Sequence, residues 1–123
     1  MSKELVRWFE TRLKVEAIRM INTQVKIAVV SIEELIRGIK LAIDGKELEF
    51  EESLNRQSKT KKESDVLRRK IVEELAKGEL PPDDRVGLMH LTRQIDEVIG
   101  WTLGSQRILD VFRLKNVSPE LHD

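Results

Sequence analysis

Hydrophobic residues recur along this chain at helical spacing, in three long blocks. In the first block they fall at Ile18, Ile21, Val25, Ala28, Ile32, Leu35, Ile39 and Ala42, in alternating steps of three and four residues. That alternation is the seam of a helix packed lengthwise against others. Val29, Ile36 and Ile43 widen the stripe, enough to bury one face against two neighbours. Upstream, Leu5, Phe9 and Leu13 continue it in a shifted phase, and Asn22-Thr23 at the shift predicts a kink or break. The block predicts a helix over residues 2–44, stopped at Asp44-Gly45 with glycine in the left-handed conformation.

The second block predicts a helix over 46–77, with glutamates crowding its start and lysines and arginines its later turns. That order complements the helix dipole. Its apolar signal fades at Ser53, Gln57, Ser58, Thr60 and Ser64 and recovers at Leu67, Ile71 and Leu75. A helix this polar over several turns either frays or packs on something polar. Gly78 is a stop, Pro81 and Pro82 forbid continuation, and Asp83 or Asp84 restarts a helix over 83–114. There Leu88, Leu91, Ile95, Val98, Thr102, Ser105, Leu109 and Phe112 repeat the seam, small and polar toward the far end.

Long helices joined by short loops pack antiparallel, so the expected fold is an all-α bundle of three helices over 1–115, with a tail at 116–123. Asn116 ends the third helix, and Ser118-Pro119 reads as the start of another. Wide apolar stripes on three thin rods leave surface uncovered. Self-association follows as an expectation, a homo-oligomer with a dimer favoured. Trp8, Trp101 and Phe112 are the candidate interface anchors.

Composition narrows the function. The chain has 123 residues, 40% hydrophobic and 36% charged, which fits one domain of amphipathic helices. Lys+Arg and Asp+Glu both number 22, so no whole-protein attraction to nucleic acid or anionic membrane is expected. Without cysteine there is no disulfide, thiolate catalysis or thiolate metal site. The chain shows no signal peptide and no run of about 18 apolar residues, and reads as cytoplasmic. It has no Gly-rich phosphate loop, nucleophile elbow or His-Glu-x-x-His, so the expectation is a non-enzymatic protein.

One constellation carries possible chemistry. A hairpin centred near residue 80 sets Asp65 level with Asp96, and Glu97 and Glu63 stand close by. Facing carboxylates in a bundle can hold a divalent or ferric metal ion, making Asp65, Asp96 and Glu97 the candidate ligands. One turn further on stand Gly100 and Trp101, which do not coordinate. The plainer alternative pairs Asp65 and Asp96 with Lys26, Arg68, Arg69 or Arg93. A third reading is a structural oligomerisation module with no ligand at all.

The hairpin segment from Ser64 to Trp101 resembles the PhoU-like regulators of phosphate uptake, in the branch associated with Pit-type transporters. The resemblance rests on Asp65, Leu67, Arg68 and Arg69, on Leu75, Ala76, Gly78 and Pro82 of the loop, on Arg85, and on Ile95, Asp96 and Trp101. It implies a PhoU-like fold built from three-helix units, usually two per chain, of which this sequence holds one. A second copy could replace the other. It also implies a regulatory or accessory role, with a membrane phosphate transporter or its regulator as partner. Some such proteins bind metal clusters through Glu/Asp-x-x-x-Asp motifs. Asp96 and Glu97 match the first acid, and the second is missing.

Overall fold

A computed structural model describes residues 2–117. It contains three helices, α1 at Lys3–Ile43, α2 at Glu47–Ala76 and α3 at Pro82–Val117. The chain folds as an all-α bundle, with α2 running against α1 and α3. The Ser118-Pro119 signal lies outside the described residues. No helix among the described residues is long and apolar enough to cross a membrane.

Local chemistry sets the ends. The Ser2 side chain accepts a hydrogen bond from the Leu5 N–H at 3.1 Å and caps the start of α1. At the other end Gly45 takes φ 69°. There the N–H of Lys46 bonds the Leu41 carbonyl at 3.0 Å and that of Gly45 bonds Ala42 at 3.2 Å. This double bond pattern closes the helix in a Schellman turn. Gly78, at φ 73°, terminates α2 in the same left-handed region.

Three expectations are corrected. Asn116 does not end α3, which continues to Val117. No break occurs at Asn22-Thr23, since α1 is continuous. Thr23 donates its hydroxyl back to the Arg19 carbonyl at 3.2 Å, and Asn22 points to solvent. The α1 seam also differs. The buried face is Ala17, Ile21, Gln24, Ala28, Ser31, Glu34 and Gly38, whereas Ile18, Val25, Ile32 and Ile39 stand exposed. In α3, likewise, Thr92, Ile99, Thr102, Leu103 and Gln106 are buried, and Leu91 and Phe112 are exposed.

The interior therefore has two halves. Toward the α2–α3 loop it is apolar. Ala17, Ile21, Ile71, Leu75 and Leu80 are buried there, with Leu13, Leu67, Met89 and Ile95 packed around them. Toward the α1–α2 turn it is largely polar, around Ser31, Glu34, Ser53, Gln57, Thr102 and Gln106. This answers the weak apolar signal in mid-α2, because Ser53, Gln57 and Ser64 are fully buried against polar partners.

Candidate functional site: an uncharged face over a polar interior

The polar half is one connected ladder. Gln57 accepts from the Ser31 hydroxyl at 2.8 Å and donates to the Ser31 carbonyl at 2.9 Å and to Gln106 Oε1 at 3.0 Å. Gln106 donates to Ser53 Oγ at 2.9 Å, and Ser53 donates to Glu34 Oε2 at 2.7 Å. The hydroxyls of Ser31 and Thr102 meet beside it. One rung apart, Gln24 donates to the Thr92 carbonyl at 2.9 Å and accepts from its hydroxyl at 2.7 Å. Full pairing is what makes so polar a core tolerable, since an unpaired buried donor or acceptor costs about 1–3 kcal/mol.

Glu34 closes the ladder at the surface. Arg56 Nε donates to Glu34 Oε1 at 2.7 Å and Arg37 donates to Oε2 at 2.9 Å. Burial works to raise the Glu34 pKa. The hydrogen bonds from Arg56, Ser53 and Arg37 outweigh it and hold the carboxyl below its ordinary value. Every oxygen is committed to the protein, so this carboxylate is a structural tie.

The hairpin does set Asp65 and Asp96 level, and a lysine lies between them. Lys61 Nζ stands 2.7 Å from Asp65 Oδ1 and 3.0 Å from Asp96 Oδ1. Ser64 also donates to Asp96 Oδ1 at 3.1 Å, and Arg68 Nε lies 3.2 Å from Oδ2 without hydrogen-bond alignment. Burial works to lower the Lys61 pKa, and the bonds to Asp65 and Asp96 outweigh it, so the ammonium is held above its ordinary value. Lys61 thus takes the place a cation would occupy. Glu97 faces solvent, away from this pair. Among the described residues no group of three or more His, Asp or Glu side chains converges to hold a metal ion. Of the four expected basic partners only Arg68 reaches Asp96. Lys61 was legible as a lysine one helical turn before Asp65.

The feature the apolar pattern marked, without placing it, is a surface. On α1, Trp8, Thr11, Val15, Ile18, Asn22, Val25, Val29, Ile32, Ile36, Ile39 and Ile43 alternate steps of three and four, and all are exposed. On α3, Leu91, Gln94, Val98, Trp101, Ser105, Ile108 and Phe112 do the same, with only Val98 half-buried. Neither row contains a charge, in a chain that is 36% charged. The rows are neighbours. Ile18 lines a shallow cleft with Gly87, Leu88 and the charged residues Lys14, Asp83 and Asp84, where Lys14 and Asp84 form an ion pair of 2.7 Å between the two helices, and at the other end Ile43 lines one with Leu109, Phe112 and Arg113. Trp101 and Phe112 thus lie on this face, 68% and 59% exposed. Trp8 sits at its tip, its ring 5.0 Å from Phe9 and under the Arg12 guanidinium.

Compared with known proteins, the chain matches no family model, no curated protein and no solved structure.

Proposed function

We propose that this chain is a non-enzymatic protein-binding module that closes its uncharged α1–α3 face against a second copy of itself. The observation that carries the reading is the pair of adjacent seven-residue repeats, solvent-facing and free of charge. From Ile18 to Ile43 the face is about 37 Å long. Two helices side by side make it about 20 Å wide. That area, on the order of 700 Å², approaches the roughly 800 Å² per partner of a standard stable interface. An uncharged surface suits a copy of itself, because no charge repels and none is left without a partner on closure. Ile32 and Ile36 are 41% and 49% exposed, so charging them spares the fold. Sedimentation equilibrium at micromolar concentration should give a dimer for the native chain and a monomer of unchanged helicity for Ile32→Glu/Ile36→Glu. A native monomer, or a dimer that survives both charges, refutes the reading.

A regulatory role beside a phosphate transporter is the use we propose for such a dimer. Its support is the sequence resemblance of the hairpin to PhoU-like regulators. The native chain should then co-purify with a phosphate transporter or its regulator in phosphate-replete or starved cells. Recovery of neither under both conditions would remove this role and leave the dimer untouched.

A further inference from the structure

Resting on the homodimer reading, we infer that the two copies pack in parallel, α1 of each along α3 of the other, with Asn22 and Gln94 forming a polar layer that fixes the register. The argument is one of levels. Gln24 bonds the Thr92 carbonyl across a sequence separation of 68, and Ser31 meets Thr102 at 71, so α1 and α3 run side by side with a nearly constant offset. Asn22 stands two residues before Gln24, and Gln94 two after Thr92. They lie about 6 Å apart along the axis, about one turn. Helical side chains lean toward the N-terminus, so the longer Gln94 leans back toward the level of Asn22.

Asn22 is the one carboxamide in the α1 row, and Gln94 the one in the α3 row. A two-fold axis along the bundle sets α1 opposite the partner copy's α3 at matching height, and the two amides meet. An axis across the face reverses the partner about the middle of the stripe, near Val30. Asn22 then meets the isoleucines around Ile36 and Ile39, or Ile108, and closes as an unpaired amide among methyl groups. A lone amide at such a seam position selects the arrangement that pairs it, at some expense in affinity.

The chain has no cysteine, so a single spin label can be placed without background. Lys46, in the α1–α2 turn, carries no capping bond through its side chain and is a neutral site for Lys46→Cys. Nitroxide labels there should give one dipolar distance of about 20–30 Å if the copies are parallel. Reversed copies would place them about 50 Å apart, from the axial rise over the intervening turns. The longer distance overturns the inference and keeps the dimer. No dipolar modulation overturns the dimer reading itself. Adding Asn22→Val should keep the dimer, tighten it, and introduce the longer distance as a second population. A distribution unchanged by Asn22→Val would show that Asn22 does not set the register.

Discussion

Gly38→Ala tests whether the polar ladder is as tightly fitted as its distances say. In an ordinary helix interior this change stabilises, by about 1 kcal/mol. Here a Cβ at residue 38 would lie 2.8 Å from Gln106 Nε2 and 3.0 Å from its Cδ. Gln106 is fully buried and cannot swing aside freely, because its amide donates to Ser53 at 2.9 Å and accepts from Gln57 at 3.0 Å. Two outcomes bracket the cost. If Gln106 stays, the methyl is overpacked, at about 1–3 kcal/mol. If it moves, its bonds break inside the core, at about 1–3 kcal/mol for each group left unpaired. Either exceeds or matches the propensity gain, so the net expectation is a loss of about 0–2 kcal/mol, in place of the usual gain. Urea unfolding at fixed protein concentration measures it. Gly104→Ala is the control, since nothing lies within 4 Å of a Cβ there, and it should be stabilised. In a Gln106→Ala background Gly38→Ala should lose its penalty. If Gly38→Ala is stabilised as much as Gly104→Ala, the close approach of α1 to Gln106 is refuted.

Other consequences follow from the charges. The carboxyl of Glu34 is held below its ordinary value of 4.5, so its contribution is present above that pH and is lost as pH falls through the lowered value. Unfolding followed from about pH 5 to about pH 3 should therefore show a drop in stability that Glu34→Gln makes shallower, and an identical acid limb in the variant would refute this. Lys61 is held above its ordinary value of 10.5, so its contribution is full below that pH and fades only as pH climbs through the raised value. Lys61→Met should destabilise by about 1–2 kcal/mol at neutral pH, by leaving Asp65 and half-buried Asp96 facing each other. A neutral result in thermal melts would show the pair does not need the lysine. Because the α1 and α3 rows carry no charge, and Lys14 and Asp84 at one end of the face are already paired within one copy, raising salt from about 0.1 M to about 1 M should not weaken the dimer, and a tenfold loss of affinity would point to an ionic interface instead.

The helices were legible and the interior was not, for a physical reason. Stops at Gly45, Gly78 and the Pro81-Pro82 pair place the element ends within three residues of where the pattern predicts them. Hairpin symmetry also set Asp65 level with Asp96, because it depends only on where the loop lies. Hydrophobic periodicity, though, assumes that the most apolar stripe faces inward. In α1 and α3 that assumption fails over half the bundle. Gln24, Ser31, Glu34, Thr102 and Gln106 face inward, while Val25, Val29, Ile32, Ile36 and Ile39 face out. The apolar seam read from α1 thus took every second residue from each face, Ile21, Ala28 and Leu35 from one and Ile18, Val25, Ile32 and Ile39 from the other. What could have revealed the inversion was α2, whose Ser53, Gln57 and Ser64 recur at helical spacing along one face. A polar stripe on one helix of a bundle needs polar partners on the other two.

The inversion itself bears on function. A bundle that needed only to fold would gain by burying Ile32 and Ile36 and exposing Ser31 and Gln57. Fully bonded polar cores contribute little net stability against an apolar alternative, and what they specify is one register of the helices. Here that register holds α1 and α3 at a fixed offset, which keeps two uncharged rows side by side over their whole length. Methyl groups left on such a surface cost solubility unless something covers them. The polar interior and the apolar exterior therefore read as one arrangement, in which hydrogen bonds position the helices and the hydrophobic surface they present drives association.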